Sequence, residues 1–230
     1  MPAGPSATRP DSTRRHNVAM HRACLLDALG TTVRLDPPWE RISPAAVAGI
    51  DPDRVRRAFE AEMSLYAAHA HEARNAASLA QLRRRCAELL SAELDREIDV
   101  ATMMSAISFS AYPDAAPALA ELRRQGLRLV CVSNWDHELE RVLERVGLAS
   151  CFDGAVASAT AGARKPDPAI FEAALELAGC GAAEALHVGD SDEDVEGARA
   201  AGIDILRIDR NGREAGEIAS LNEIVQHLRA

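Results

Sequence analysis

Aromatic residues are scarce in this sequence of 230 residues, of which they make up 3%. The sequence therefore has few side chains that could form the stacked aromatic platforms that bind single-stranded nucleic acids. No apolar run approaches the roughly 20 residues that a membrane-spanning helix needs. The net charge of -9 at pH 7 also disfavours binding to polyanions and to anionic lipid surfaces. We therefore expect neither a nucleic-acid partner nor a membrane partner.

Paired cysteines are also lacking. The five cysteines are scattered, and none forms a C-x-x-C pair of the kind found in metal knuckles and redox motifs. Cys24 and Cys131 lie inside apolar runs, which is typical of small core residues in a reducing compartment. These features predict a cytoplasmic location.

Lysine is almost absent. The chain has 26 basic residues, and Lys165 is the only lysine among them. A compact ammonium suits some sites that the planar guanidinium of arginine does not fit. The retention of one lysine in an arginine-rich chain therefore makes Lys165 a candidate functional residue.

The sequence divides into three parts. Residues 1–20 are rich in Pro, Ser, Thr and Arg, and predict a disordered tail with no secretory signal. Residues 21–36 and 110–230 alternate short apolar strands with helices of about ten residues, the pattern of a parallel α/β sheet. From about residue 43 to residue 109 the pattern is helical only, which predicts an inserted all-helical cap over residues 37–109, with an extended linker at residues 35–39 leading into it.

Polar residues follow three of the predicted strands. Asp27 ends the first strand, Ser133 and Asn134 end a second, and Asp190 with the nearby Asp194 follows a third. The carboxyl ends of parallel strands face one crevice, and carboxylates gathered there need a cation such as Mg²⁺ between them. The hydroxyl, the amide and the ammonium of Lys165 suit the oxygens of a phosphate. An aspartate beside a bound phosphoryl group is also a candidate nucleophile that forms an aspartyl phosphate.

At these residues the sequence resembles the haloacid dehalogenase superfamily of hydrolases. Its first motif, D-x-D-G-T, matches residues 27–31 except at the third position, and its second motif matches Ser133. Its third, a lysine often followed by proline, matches residues 165–168, and its fourth matches residues 189–194. The order and spacing agree over residues 23–210, and the resemblance implies a Rossmann-like core with a cap that closes over the substrate.

The resemblance implies a set of site residues. The implied catalytic residues are Asp27, Ser133 and Lys165, and the implied phosphate contacts are Thr31, Ser133, Asn134 and Lys165. The implied Mg²⁺ ligands are Asp27, Asp190, Asp194 and the backbone carbonyl of Leu29. The expected partner is a small phosphorylated molecule, and the oligomeric state is left open.

Leu29 departs from the pattern. Phosphatases of this superfamily use an aspartate at that position to protonate the leaving group and to activate water, and such help is typically worth about 10²–10⁴ in rate. One alternative is therefore a phosphatase that acts on good leaving groups or borrows an acid from the cap. The cap residues that could supply this acid are His69, His71, Glu72 and Arg74.

Two other readings stay open. Carbon–halogen hydrolases also lack the second aspartate, because halide leaves without a proton; they resemble D-x-Y-G-T and carry a tyrosine six residues after the lysine. Here those positions hold Leu29 and Phe171. A carbon–phosphorus hydrolase is excluded, because it would need a lysine in the cap and the cap contains none. The last reading is a binding protein that keeps the pocket without turnover.

Overall fold

The computed structural model describes residues 21–212 and 217–228, so the predicted tail at residues 1–20 lies outside the described part of the chain. The described strands are β1 (Ala23–Leu26), β2 (Val33–Asp36), β3 (Ser108–Ala111), β4 (Arg128–Ser133), β5 (Gly154–Ala157), β6 (Ala185–Gly189) and β7 (Asp204–Arg207). The described α-helices are α1 (Pro38–Arg41), α2 (Pro52–His69), α3 (Ala76–Leu94), α4 (Val100–Ala106), α5 (Ala115–Arg124), α6 (Leu139–Arg145), α7 (Ser158–Ala161), α8 (Pro168–Ala178), α9 (Asp192–Ala200) and α10 (Asn222–His227).

Five strands form one parallel sheet in the order β5-β4-β1-β6-β7. In its register, Ala23 of β1 lies between Arg128 of β4 and Ala185 of β6. The first strand is therefore the centre of the sheet, and the order reverses there, as it does at the ligand-binding crevice of open α/β sheets. The predicted α/β class with a parallel-sheet core is confirmed.

The central strand β1 is fully buried. Its side chains alternate between the two faces, so Cys24 and Leu26 join one apolar cluster while Ala23 and Leu25 join the other. Helices α5, α6 and α10 pack on the first face, and helices α8 and α9 pack on the second. A strand covered on both faces reads as a continuous apolar run, which explains the sequence that precedes Asp27.

Helices α1–α4 occupy the segment between β2 and β3 and have an apolar cluster of their own. Asp51 caps α2 by accepting a hydrogen bond from the Arg54 N–H at 3.1 Å, and Pro52 fills the first helical position. The largest buried side chains of the cluster include Phe59, Leu79, Leu90, Leu94 and Met103. The exact domain boundaries at 36–37 and 109–110 stay a prediction.

The linker prediction at residues 35–39 was wrong in part. Strands β2 and β3 form a two-stranded antiparallel ribbon, in which Val33 lies opposite Ala111 and Asp36 lies opposite Ser108. The hydroxyl of Ser110 donates to Asp36 Oδ1 at 2.9 Å and so holds the ribbon together. The ribbon is four residues long and half-exposed, and its partner strand is distant in the chain, so no local pattern indicates it.

Among residues 21–212 and 217–228, none of the helices combines the length and the apolar character that a bilayer crossing requires.

Candidate active site

Four side chains meet at the carboxyl edge of the parallel sheet. Asp27 directly follows β1, Ser133 ends β4, Lys165 lies two residues before the capping Asp167 of α8, and Asp194 lies in the first turn of α9. The Ser133 hydroxyl donates to Asp27 Oδ1 at 2.9 Å. The Lys165 ammonium donates to Asp27 Oδ1 and to Asp194 Oδ1, each at 2.5 Å, and to the Val132 carbonyl at 3.2 Å. The predicted convergence of strand ends is therefore present in the structure.

Three carboxylates crowd beside this ammonium. Asp27, Asp190 and Asp194 each place one oxygen within 4.8 Å of the others. Burial, followed by repulsion from Asp194 and Asp190, raises the pKa of Asp27 to about 7, although Lys165 opposes the shift. Burial, with repulsion from Asp194, also raises the pKa of Asp190 to about 6. The cluster therefore holds more negative charge than one ammonium offsets.

Asp194 is the carboxylate that the surrounding charges keep ionised. Burial alone would raise its pKa, but the adjacent Lys165 ammonium and the hydrogen bond from His187 lower that pKa well below the usual range. Burial likewise opposes the charge on Lys165, yet Asp27 and Asp194 together raise the pKa of its ammonium. Lys165 and Asp194 are therefore a buried ion pair, with Asp27 attached to the same ammonium.

The donor set of this cluster fits a divalent cation. Three carboxylates in one place are hard oxygen ligands, which Mg²⁺ prefers over nitrogen and sulfur ligands. Two glycines let the backbone approach these carboxylates closely. A Cβ on Gly30, whose φ is +86°, would lie 2.1 Å from Asp190 Oδ2, and a Cβ on Gly189 would lie 2.3 Å from Asp194 Cγ. Any larger residue at either position would displace a carboxylate of the cluster.

Asn134 holds Lys165 in place. The Lys165 backbone N–H donates to Asn134 Oδ1 at 2.8 Å, and Asn134 Nδ2 donates back to the Lys165 carbonyl at 3.1 Å. Nδ2 also donates to Glu193 Oε2 at 2.7 Å. Both amide hydrogens are thus committed within the protein. The geometry makes Asn134 a positioning residue for Lys165, and its predicted phosphate contact stays a prediction.

The loop after Asp27 brings two threonines and Leu29 to the site. The Thr32 hydroxyl donates to the Asp27 carbonyl at 2.9 Å and stabilises the turn. The Thr31 Oγ1 atom is buried and has no hydrogen-bond partner among the described residues, and its predicted phosphate contact stays a prediction. Leu29 is 41% exposed, and only Leu177 among the other large apolar residues of the described chain is comparably exposed. The proposed metal contact of the Leu29 backbone carbonyl stays a prediction.

Sequence reasoning missed three residues that support the site. His187 places Nε2 2.8 Å from Asp194 Oδ1 and packs edge-to-face on Phe171. Glu193 joins Asn134 to Arg164, whose Nη2 donates to Glu193 Oε1 at 3.0 Å. The sequence signal for His187 was its place within a strand that ends at the site. The only sequence signal for Glu193 was its position beside Asp194 in the first turn of a helix.

Arg210 is the third missed residue. Its guanidinium donates to both oxygens of Asp114, at 2.8 and 3.0 Å, and to the carbonyl of Thr31. It also lies over the Tyr112 ring, 3.9 Å from the centroid. Arg210 therefore ties the loop that follows Asp27 to Asp114 at the start of α5. No signal in the local sequence indicates this role.

A cavity of about 870 Å³ lies between the helices α2–α4 and the core. Leu29 and Asn134 line it, so the cavity reaches the loops that carry the site. His69, His71, Glu72 and Arg74 are not among its lining residues. His69 Nδ1 instead pairs with Glu72 Oε1 at 2.9 Å at an exposed helix end. The acids of the cavity wall are others, among them the buried Glu62.

Comparison with known proteins gives the family. The model of the haloacid dehalogenase-like hydrolases matches residues 21–202. The chain belongs to the haloacid dehalogenase-like hydrolase family. This membership confirms the resemblance that the four motifs carry.

The relatives in this family carry different functional names. The chain is 48% identical over 90 residues to haloacid dehalogenase-like hydrolase domain-containing protein 3 of Bos taurus, covering 39% of this chain and 36% of that protein. It is 38% identical over 139 residues to phosphoserine phosphatase of Thermus thermophilus, covering 60% of this chain and 56% of that enzyme. These matches span about a third to a half of the curated relatives' length.

Among solved structures of the family, the L-2-haloacid dehalogenase of Xanthobacter autotrophicus superposes with a TM-score of 0.69 at 23% identity. The superposition covers 92% of this chain and 99% of that enzyme. Likeness at this level of identity shows the fold alone.

Proposed function

We propose that the protein is a Mg²⁺-dependent phosphatase that acts on a small phosphate monoester through an aspartyl phosphate at Asp27. The observation that carries the proposal is the position of Lys165, whose ammonium contacts Asp27 and Asp194 at 2.5 Å beside Asp190. A halide-releasing site needs no metal ion and therefore no additional carboxylates to hold one. A transferring phosphoryl group requires positive charge gathered at one place, which Lys165 and a cation held by the carboxylates would supply. The phosphatase name of the Thermus relative supports the same class.

Asp27 is the proposed nucleophile. Its Oδ1 accepts from Ser133 and Lys165, and no hydrogen bond from the described residues reaches its Oδ2. In the proposed reaction, an oxygen of Asp27 attacks phosphorus, the P–O bond to the leaving group breaks, and that group departs as an anion which takes its proton from water. Water then hydrolyses the aspartyl phosphate, which releases inorganic phosphate and restores the carboxylate.

The other residues hold and neutralise the phosphoryl group. We assign phosphate contacts to Ser133, to Lys165 and to the unpartnered hydroxyl of Thr31, with Asn134 fixing the lysine. Asp27, Asp190, Asp194 and the Leu29 carbonyl would hold Mg²⁺, which would offset negative charge on the transferring group. The five cysteines, none of which forms a disulfide, support a reducing, cytoplasmic environment for this enzyme.

Phosphate release from small esters and acyl phosphates, with and without Mg²⁺, tests this proposal. We expect turnover that requires Mg²⁺ and that the Asp27→Asn variant lacks. Turnover that persists at full rate in Asp27→Asn would overturn the nucleophile assignment. A complete lack of turnover with every ester and acyl phosphate would instead favour the binding protein.

The carbon–halogen hydrolase is the second candidate, favoured by Leu29, which stands where the family pattern places a proton-donating aspartate. Phe171 occupies the place where those enzymes carry a tyrosine. It is fully buried against His187, away from solvent. Halide release from 2-haloacids without added metal would reverse the ranking of the two candidates.

A further inference from the structure

The cavity beside the site is larger and more apolar than a phosphate group requires. Its volume of about 870 Å³ lies near the upper end of small-molecule pockets, about 300–1,000 Å³. Apolar side chains from both the helical segment and the core form much of its wall. They include Leu29, Met63, Met104, Phe109, Trp135 and Val146.

Many polar groups in the wall are already paired. The Tyr66 hydroxyl donates to Asp136 Oδ2 at 2.8 Å, and Arg83 Nη2 donates to Glu138 Oε2 at 2.8 Å. The carboxyl of Glu62 is buried, and this burial raises its pKa. A strongly polar ligand would find few free partners among these paired groups, and its own polar groups would be buried without hydrogen bonds, which is unfavourable. The wall therefore favours an apolar ligand.

Leu29 adds a chemical requirement to this shape. It exposes an apolar side chain at the edge of the cavity, where the family pattern places a proton-donating aspartate. A leaving group next to Leu29 has to depart without a proton from that position. Phenols meet this requirement better than alcohols, because a phenol loses its proton at a pKa of about 10, as tyrosine does.

We propose that the cavity binds the aromatic leaving group of an aryl phosphate monoester. This inference rests on the proposed phosphatase function and names its substrate class. Asp27 forms the new bond to phosphorus, the bond between phosphorus and the aryl oxygen breaks, and the phenolate leaves into the cavity and takes a proton from water. The aryl ring packs against Leu29 and Trp135 while the bond to phosphorus breaks.

Two substrates with similar leaving-group acidity isolate the contribution of the cavity. Phenyl phosphate and 2-naphthyl phosphate differ mainly in apolar area, and acetyl phosphate is a small reference with a good leaving group. We expect kcat/KM for the naphthyl ester to exceed that for the phenyl ester by about tenfold, since burying roughly 50 Å² more apolar surface is worth about 1.3 kcal/mol. Equal values for the two esters, with turnover intact, would overturn the inference and leave the phosphatase function standing.

A variant that fills the cavity tests the location. Met104→Trp places a larger side chain in the wall, and Ala101→Trp places the same side chain at an exposed position of α4 outside the lining. We expect Met104→Trp to lower kcat/KM for the naphthyl ester by about tenfold while acetyl phosphate changes less than about twofold. Ala101→Trp should change neither value. Equal losses on both substrates in Met104→Trp would contradict the assignment.

Calorimetric titration with 2-naphthol gives a readout that does not depend on turnover. Binding by the wild type, weakened about tenfold or more in Met104→Trp but not in Ala101→Trp, supports the cavity as the site even if the protein hydrolyses no phosphate. No binding of 2-naphthol to the wild type would overturn it. Preferential turnover of esters with a carboxylate on the leaving group, lost in Arg145→Gln, would also overturn it, since the wall has two cations and the other, Arg83, is paired with Glu138.

Discussion

Asn134 and Lys165 hold each other through two hydrogen bonds that run in opposite directions, from the Lys165 N–H to Oδ1 and from Nδ2 to the Lys165 carbonyl. These bonds act on the backbone of the lysine, while its ammonium contacts two carboxylates. The loop between α7 and α8 is thereby fixed to the end of β4. The lysine reaches the site because of this fixation.

Removing this clamp should lower turnover more than it lowers stability. We expect Asn134→Ala to reduce kcat/KM for a phosphate ester by about 10²-fold, the typical loss when a catalytic group is misplaced by about 1 Å. Glu193→Gln is the matched control, because glutamine still accepts the hydrogen bond from Asn134, and its kcat/KM should stay within about threefold. Steady-state kinetics on both variants measure the difference. A similar loss in the two variants would mean that Asn134 acts through Glu193 instead.

Lys165→Met should destabilise the fold. The methionine keeps most of the unbranched side chain but leaves Asp27 and Asp194 buried without their cation, and breaking a buried ion pair typically costs about 3–5 kcal/mol. Urea unfolding without added metal measures this loss. Part of the lost stability comes from repulsion between Asp27 and the carboxylates of Asp194 and Asp190. The double variant Asp27→Asn with Lys165→Met should therefore recover some of the free energy of unfolding. An unchanged unfolding midpoint in Lys165→Met would contradict the ion pair.

Mg²⁺ should stabilise the wild type in thermal unfolding. Saturation at about 100 times the dissociation constant corresponds to about 2.7 kcal/mol. Asp190→Asn and Asp194→Asn should lose most of this effect. Asp192→Asn is the control, since Asp192 is exposed and pairs with Arg207 at 2.7 Å. If Mg²⁺ raises the melting temperature of all four proteins equally, the acidic cluster is not the binding site.

Introducing the aspartate that the family pattern contains should broaden the substrate range. Leu29→Asp adds a proton donor beside the leaving group, so kcat/KM for alkyl phosphates should rise by about 10²-fold or more, while aryl phosphates should gain less. Leu29→Asn has a similar size and polarity but donates no such proton. Alkyl phosphate turnover that is equal in the two variants would show that position 29 does not face the leaving group.

Glu62 should make stability depend on pH. Burial raises the pKa of Glu62 above its ordinary value of 4.5 in the folded protein. Below pH 4.5 both states bind the proton; above it the unfolded chain releases the proton first, so the free energy of unfolding falls as pH rises toward the folded-state pKa. Urea unfolding from acidic to neutral pH should show this fall in the wild type and a smaller one in Glu62→Gln. Glu88→Gln, at an exposed position of α3, should follow the wild type.

The central features of the site could be predicted from the sequence because they are local. A fully buried strand produces an apolar run that ends at Asp27, and the same holds for the strands before Ser133 and Asp190. The parallel arrangement then brings these strand ends together. Lys165 was indicated by composition, as the single lysine of the chain, and by its match to the lysine motif of the family that the sequence resembles.

The supporting contacts could not be predicted, because each joins residues that are far apart in the chain. Arg210 reaches Asp114 and Thr31, and the ribbon pairs Val33 with Ala111. The cap residues named as possible acids, His69 and Glu72 among them, lie at an exposed helix end, while Glu62 in the middle of α2 is buried. Helical periodicity alone does not say which turn of a helix faces a cavity.

The burial of the only lysine, which is 2% exposed, has a practical consequence for labelling the protein. Apart from the amino terminus, an acylating reagent that targets amines has one place to react, and in the folded chain that amine is enclosed and protonated. The rate at which such a reagent modifies Lys165 therefore measures how often the site opens. Mass spectrometry of the intact chain would record each opening as a single added acyl group.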